Sequence, residues 1–204
     1  MSTKVGVIIG STRKPRVCPQ IAKFVIETIK SGSLFSANSL ELVLIDLADW
    51  NLPFFDESNV PSQIMDYKKY DHEHTRRWSQ EIQKYHSFIF VVPQYNWGYP
   101  AVLKNAIDYL YHEWEGKPAM IVTYGGHGGI KCNSQLTEVL QGVRMKPTQK
   151  KVLLTFEERT MLLDAVNGRD LGLDGTSKVG AWCNHRLAIL EAFEEFHSLL
   201  STAQ

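Results

Sequence analysis

The chain has 204 residues, of which 44% are hydrophobic and 22% are charged, and its 22 basic and 22 acidic side chains give a formal net charge of zero. This composition is typical of an ordinary globular domain, and a prior of ~150 residues per domain favours a single domain over residues 1–204. The charge balance argues against a general nucleic-acid binder, which carries a basic excess. It argues weakly against an acidic electron-carrier protein.

Neither membrane insertion nor a disulfide framework is indicated. The early apolar run Val5 to Ile9 is too short for a signal-peptide core or a membrane span, which needs ~20 apolar residues. The cysteines Cys18, Cys132 and Cys183 are odd in number and show no CxxC spacing, so we interpret them as reduced thiols of a cytoplasmic protein without membrane partners.

Short apolar runs alternate with amphipathic helical patterns along the chain. This alternation predicts a parallel sheet covered on both faces, and about five strands favour a doubly wound sandwich over a barrel. In chain order the predicted elements are a strand at 4–10, a helix from Pro19, a strand at 40–47, a helix capped by Asp71, a strand at 87–92, a helix from Pro100, a strand at 119–124, a helix through 136–143, a strand at 151–155 and a helix through 189–200.

Two stretches do not fit a minimal sandwich. Residues 48–70 are rich in aromatic and acidic side chains, and loops of this length inside a compact domain are usually functional or disordered. Residues 156–180 are polar and contain several glycines. Chemistry alone assigns the second stretch no role.

The loop after the first strand, GSTRKPRVC at 10–18, indicates a phosphate site. Hydroxyls, arginines and backbone N–H groups meet there at a helix N-terminus, which favours anions. The alternative is a solvated turn. No GxxxxGK[ST] or GxGxxG pattern occurs, which argues against a P-loop or a Rossmann site. Cys18 is interpreted as a small buried side chain, the alternative being a thiol whose pKa the anion site lowers.

The loop after the third strand, PQYNWGYP at 93–100, could flank a flat heteroaromatic ring, with Tyr95 and Trp97 as stacking surfaces. The alternative is an aromatic-rich turn that packs on its own sheet. The loop after the fourth strand, YGGHGG at 124–129, lets the backbone approach a ligand closely. A serine hydrolase is disfavoured because no GxSxG is present, and a zinc site at His127 is disfavoured because it lacks partners at metal-binding spacing.

These three loops, with LKNAIDYLYHEW at 103–114 and IKCNSQLTEVL at 130–140, resemble the NADPH-dependent FMN reductases of the flavodoxin-like superfamily, and most closely the fungal NAD(P)H:quinone reductases. The likeness covers about residues 4–145. It implies a flavodoxin-like three-layer sandwich with a five-stranded parallel sheet in the order 2-1-3-4-5. It also implies non-covalent FMN, NADPH or NADH as co-substrate, a quinone-type acceptor and a homodimer.

By position, the resemblance assigns the cofactor-binding residues. Ser11, Arg13 and the backbone of Arg16, Val17 and Cys18 would hold the FMN phosphate. The ring would be edged by Pro93, Gln94, Tyr95, Asn96 and Trp97, and closed on its other side by Tyr124, Gly125, Gly126 and His127. No side chain is assigned a catalytic role, since the flavin itself carries the chemistry.

The implied activity is hydride transfer from NAD(P)H through FMN to a quinone by a ping-pong mechanism. A flavodoxin-type electron carrier and a flavin-bound protein with redox-dependent partners remain as alternatives. We expect the dimer to form through the helices after the third and fourth strands, partly because Tyr109, Tyr111 and Trp114 exceed what one helix face needs for its own core. The segment 48–70 is expected to reach toward the partner subunit.

Overall fold

A six-stranded parallel sheet forms the middle layer of the computed structural model, which describes residues 2–202. The order β2-β1-β3-β4-β5 confirms the predicted 2-1-3-4-5 arrangement. The sixth strand also pairs with β4, in parallel. The strands are β1 Thr3–Ile9, β2 Leu40–Asp46, β3 Ser87–Pro93, β4 Pro118–Gly125, β5 Lys146–Pro147 and β6 Val152–Thr155.

The fifth position of the sheet is divided between two short strands, where the sequence predicted one at 151–155. β5 pairs with the start of β4 and β6 pairs with its end. Between them, the N–H groups of Gln149 and Lys150 donate to the carboxylate of Glu195 at 2.7 and 2.9 Å. The chain leaves the sheet there because a side chain on the last helix takes these backbone donors.

Helices cover both faces of the sheet. On one face lie the first and last long helices, and on the other lie the three helices that follow β2, β3 and β4. The helices are α1 Cys18–Ser31, α2 Ser33–Ser36, α3 Leu47–Trp50, α4 Glu73–Ile82, α5 Ala101–Asp108, α6 Ile130–Gly142, α7 Arg159–Val166 and α8 Arg186–Ser201.

The central strand β3 explains why the sequence shows continuous apolar runs rather than alternation. Ile89 and Val91 pack with α1 and α8, whereas Phe88 and Phe90 pack with α4, α5 and α6. A parallel strand covered on both faces needs apolar residues at every position. The predicted three-layer sandwich is therefore confirmed.

The structure confirms most helix predictions and corrects one. In α1 a proline occupies the first turn, as predicted. The residues that recur at helical spacing in the sequence are buried, namely Ile21, Phe24, Val25, Thr28 and Ile29. Asp71 does not cap α4. Its carboxylate instead accepts hydrogen bonds from the backbone N–H and the hydroxyl of Ser58, so that His72 stands at the cap position. The helix therefore begins two residues after Asp71, at Glu73.

The segment 48–70 lies against α5. The side chain of Asn105 accepts from Phe55 N at 2.9 Å and donates to Pro53 O at 2.6 Å. The Tyr109 hydroxyl donates to Asp56 Oδ1 at 2.8 Å. These bonds fix the backbone on both sides of Phe54, whose surface is 85% exposed.

The aromatic residues that follow α5 are mostly interior. Tyr109 and Trp114 are 0% exposed, and the ring of Trp114 packs edge-on against Phe88 at 5.2 Å between centroids. The prediction that this cluster exceeds the needs of its own core is wrong for these two residues, because the sheet and α4 use their full surface. In the part of the chain that the structure describes, no helix combines the length and apolar character needed to cross a membrane.

Candidate functional site

A cavity of about 330 Å³ opens at the carboxyl ends of β1, β3 and β4, where the three loops meet. Its size lies within the range of small-molecule sites, ~300–1,000 Å³. From the predicted loops it is lined by Ser11, Arg13, Arg16, Val17, Pro93, Gln94, Tyr95, Tyr124, Gly125 and Gly126. Four further lining residues come from the end of β6 and from α7: Phe156, Leu162, Ala165 and Val166.

Four predicted site residues do not line this cavity. Cys18 is buried beneath it with 0% exposure, and its thiol donates to Val91 O at 3.3 Å. Burial raises the pKa of the Cys18 thiol to about 12, which confirms the interpretation as a buried side chain. Asn96, Trp97 and His127 lie outside the lining, and Trp97 is 63% exposed.

Arg13 is a cation of the cavity with no carboxylate partner. Its guanidinium donates to Val166 O at 2.7 Å and to Ala165 O at 2.9 Å. Among residues 2–202, no acidic group lies within ion-pair distance of it. Since a guanidinium has five N–H donors, these two bonds leave donors for an anion.

Arg16, by contrast, is neutralised by a carboxylate. It forms a two-pronged contact with Asp46, at 2.8 Å to Oδ1 and 2.6 Å to Oδ2, and it also donates to Ser11 O. Burial alone would raise the pKa of Asp46, but hydrogen bonds from Arg16 and from Ala48 N outweigh it and hold the pKa below its usual value. The Arg16 side chain therefore braces the loop against the end of β2.

The N-terminus of α1 points its backbone donors at the same loop. Val17 stands at the cap position, and no side chain caps the helix. The first N–H groups of a helix have no partners within the helix, and the helix dipole favours negative charge beside them. Together with Arg13, this end of α1 provides donors of the kind that suit an anion such as a phosphate.

Two aromatic hydroxyls close the middle of the cavity. The Tyr95 hydroxyl lies 2.7 Å from Ser11 Oγ, which joins the loop after β3 to the loop after β1. Tyr124 is 5% exposed, and burial raises the pKa of its hydroxyl well above the usual value. Tyr124 is therefore neutral at any physiological pH and can serve as a hydrogen-bond donor.

The loop after β3 is a strained tight turn. Tyr95 and Gly98 exchange backbone hydrogen bonds at 2.8 and 2.9 Å, and the two residues between them have positive φ, 45° for Asn96 and 69° for Trp97. This is the pattern of a type I′ turn, which glycine and asparagine usually fill. A bulky residue there costs roughly 1–2 kcal/mol, and such strain is typical of functional loops.

The glycines after β4 fall into two kinds. Gly128 and Gly129 have φ of 64° and 74°, and a Cβ on either would come within 2.8 Å of a neighbouring Cβ, on Leu153 and Thr123 respectively. Gly126 lacks a positive φ, and a Cβ there would meet no atom within 4 Å. Gly128 and Gly129 are thus required by the fold, whereas Gly126 leaves open space at the cavity.

Gln94 connects this loop to the helix that follows. Its side-chain oxygen accepts from Lys131 N at 3.1 Å and from Cys132 N at 3.2 Å, at the start of α6. Its backbone N–H donates to Tyr124 O at 3.0 Å. These contacts fix the loops after β3 and β4 relative to each other across the cavity.

A sequence model of the family described as NADPH-dependent FMN reductase matches residues 3–158. The chain belongs to this family. The NAD(P)H-dependent FMN reductase LOT6 of Saccharomyces cerevisiae is 50% identical over 144 residues, which are 70% of this chain and 75% of that protein. A quinone reductase of Pseudomonas putida is 30% identical over 146 residues, or 67% of this chain and 68% of that protein.

A solved structure supports the fold. The flavoenzyme FerB of Paracoccus denitrificans, an NAD(P)H:(acceptor) oxidoreductase, matches over 98% of each chain with a TM-score of 0.64 at 20% identity. Membership of the NADPH-dependent FMN reductase family makes this chain a flavin enzyme that uses FMN with a reduced nicotinamide nucleotide, which confirms the expectation drawn from the three loops.

The cavity of this FMN reductase fits the cofactor on chemical grounds. Arg13 and the uncapped end of α1 provide a cation and backbone donors for a phosphate. The loops after β3 and β4 leave a gap whose wall at Gly126 has no side chain, which suits a flat ring.

Sequence reasoning missed the contribution of Phe156 and α7. Phe156 directly follows the carboxyl end of β6, so the rule that ligands bind beyond strand ends could have included it. In α7, Leu162, Ala165 and Val166 follow i, i+3, i+4 spacing, but the pattern spans two turns inside a polar stretch. So short an apolar pattern is too weak to predict a helix by itself.

Proposed function

We propose that this enzyme transfers a hydride from NADPH or NADH through FMN to quinone-type acceptors, with donor and acceptor occupying the same site in turn. The observation that carries the proposal is the union, in one cavity, of an unneutralised arginine, an uncapped helix end and a gap bordered by Gly126. The likeness to a protein named quinone reductase supports the acceptor class.

In this proposal the protein binds and orients the cofactor. Bound FMN supplies the hydride-accepting ring, and the chain supplies position and electrostatics. Ser11, Arg13 and the backbone of Arg16 and Val17 hold the phosphate. The ring is bordered by Pro93, Gln94, Tyr95, Tyr124, Gly125 and Gly126. Trp97, which is 63% exposed, offers an apolar surface beside the entrance for a second flat molecule.

Anaerobic half-reactions test this function directly. We expect NADPH or NADH to bleach the flavin of the reconstituted enzyme, and a quinone added afterwards to restore its colour. Steady-state rates should give parallel double-reciprocal lines, as a ping-pong mechanism requires. A flavin that neither nicotinamide nucleotide reduces would instead indicate an electron carrier, and one that is reduced but not reoxidised by any quinone would refute the acceptor class.

We further propose that the enzyme is a homodimer whose interface includes Phe54 and Trp97. Both are exposed large apolar side chains, at 85% and 63%, and both flank α5. Asn105 ties the backbone beside Phe54 to this helix, and Trp97 lies just before it. Exposed apolar residues grouped around one helix are typical of an interaction surface.

Sedimentation of matched variants tests the interface. Phe54→Asp should shift the protein toward monomer, because burying an unpaired charge in an apolar interface is unfavourable. Val179→Asp, at a site that is 76% exposed and far along the chain, is the control and should sediment as wild type. A fully active wild-type monomer at micromolar concentration would rule out the dimer.

A cytoplasmic location is also proposed, on the basis of the cysteines. Cys18 and Cys132 are buried free thiols, and burial raises the pKa of each to about 12. Such thiols suit a reducing compartment, where they remain unoxidised. Cell fractionation followed by detection of the native protein tests the location.

A further inference from the structure

The helix α7 forms one wall of the cavity although it lies outside the region that the family model matches. That region ends at residue 158, and α7 begins at Arg159. From α7, the side chains of Leu162, Ala165 and Val166 line the cavity. This wall is therefore formed by residues that follow the part of the chain matched by the family model.

Three contacts fasten this wall to the loop after β1 and to α1. Arg13 donates to the carbonyls of Ala165 and Val166, at the last turn of α7. Carbonyls at a helix C-terminus have no partner within the helix and carry the negative end of its dipole, so a cation stabilises them. The side chain of Gln20 accepts from Leu171 N and donates to Arg169 O, both at 3.0 Å.

The third contact is a close backbone approach. Gly168, with φ of 68°, lies against Pro15 so tightly that a Cβ would come within 2.5 Å of the Pro15 Cβ. Apart from these contacts, α7 has little core of its own. Ala165 is its one fully buried residue, whereas Leu162, Leu163 and Val166 are 37%, 51% and 50% exposed.

We propose that α7 is a retention wall for the flavin and that Arg13 is the positioning residue that fastens it. The inference rests on the proposed binding of FMN in this cavity. A ligand there gains apolar contact with Leu162 and Val166, and the same guanidinium that faces the phosphate holds the wall in place through two carbonyls. Because one side chain serves both contacts, removing Arg13 should change both the affinity for the cofactor and the position of α7.

Adjacent leucines on α7 provide a matched test. Leu162 lines the cavity and Leu163 does not. Leu162→Ala should raise the dissociation constants of both FMN and riboflavin by the same factor, about five- to tenfold from partial loss of an apolar contact. Leu163→Ala should leave both constants unchanged. Equal effects of the two substitutions on flavin binding would refute the proposal that α7 forms a wall of the flavin site.

Arg13→Ala distinguishes two roles of this side chain. One is to fasten α7 through the carbonyls of Ala165 and Val166, which we call the clamp, and the other is to contact the phosphate directly. As a clamp, Arg13 also matters for riboflavin, which has no phosphate, so its removal should weaken both ligands and FMN more. An effect on FMN alone, with riboflavin unchanged, would overturn the clamp. Arg13→Lys, which keeps the charge but cannot span both carbonyls in the same fork, should restore FMN binding better than riboflavin binding.

Limited proteolysis measures how firmly α7 and the residues after it are held against the rest of the protein. In the wild-type enzyme, FMN should slow tryptic cleavage after Arg169, and Arg13→Ala should speed it with and without FMN. Cleavage that responds to neither change would overturn the proposal. Wild-type protein that binds no flavin would refute the proposed function as well, whereas wild-type binding with unaltered Leu162→Ala binding would refute the wall alone.

Discussion

Replacing Gly126 by valine tests whether this glycine is needed for contact with the ligand or for the fold. A Cβ at this position meets nothing within 4 Å, and the backbone does not need a positive φ. The flavin-free variant should therefore unfold within about 0.5 kcal/mol of wild type, as an ordinary surface substitution does. The valine branches enter space that the proposed ring occupies, so FMN binding should weaken.

The size of the effect on binding follows from overpacking. Forcing extra methyl groups into a filled site costs about 1–3 kcal/mol, which corresponds to roughly a 5- to 150-fold rise in the dissociation constant. Quenching of flavin fluorescence on titration measures the constant, and thermal unfolding of the flavin-free protein measures stability. Riboflavin should lose as much as FMN, because the clash concerns the ring.

Gly128→Ala is the matched control in the same loop. Here φ is 64° and the new Cβ would lie 2.8 Å from the Leu153 Cβ. Left-handed strain and overpacking together should cost about 3 kcal/mol, or about 6–12 °C in melting temperature for a chain of this size. If Gly126→Val instead lowers the flavin-free melting temperature by several degrees with FMN affinity unchanged, the placement of the ring is wrong.

Three further substitutions test the reasoning elsewhere. Trp97→Gly should raise the unfolding free energy of the isolated protomer by up to about 1 kcal/mol, because relief of positive-φ strain exceeds the entropy cost of glycine. Turnover should fall, and the variant should sediment closer to monomer, because a large apolar side chain is lost from the proposed interface. Unchanged turnover would deny Trp97 a role in the reaction. Asp46→Asn should cost about 2 kcal/mol at neutral pH by leaving Arg16 unpaired. Because the pKa of Asp46 is lowered in the folded state, the stability advantage of the wild type should decline progressively as the pH falls below about 4. A pH-independent difference in urea unfolding would contradict the ion pair. Burial lowers the pKa of Lys117 to about 8. Above that pH the unfolded chain binds more protons than the folded protein, so the unfolding free energy should rise by about 2 kcal/mol between pH 8 and pH 10. Lys117→Met should abolish this rise.

The parallel sheet and most of its helices were predictable because apolar residues recur at regular spacing in the sequence. The order of the strands was implied only by the resemblance to the FMN reductase family. The inward face of α1 and the continuous apolar run of β3 each follow from one element packing against a sheet. The division of the fifth strand was not predictable, because the N–H groups of Gln149 and Lys150 donate to Glu195, which lies 46 and 45 residues further along the chain.

The candidate site was likewise predictable only in part. Loops at the carboxyl ends of parallel strands converge by topology, so the meeting of the three loops at one cavity could be predicted from the order of the elements. The partners of the charged side chains could not. Arg16 is neutralised by Asp46 at the end of β2, and Arg13 reaches α7 more than 150 residues later in the chain. Such pairings depend on the folded positions of distant segments.

We propose that the cavity at the carboxyl ends of β1, β3 and β4 holds FMN. Titration of the flavin-free protein with FMN, followed by quenching of flavin fluorescence, tests it most directly. We expect saturation at one FMN per chain at micromolar protein concentration. Absence of quenching at that concentration, with correctly folded protein, would contradict it.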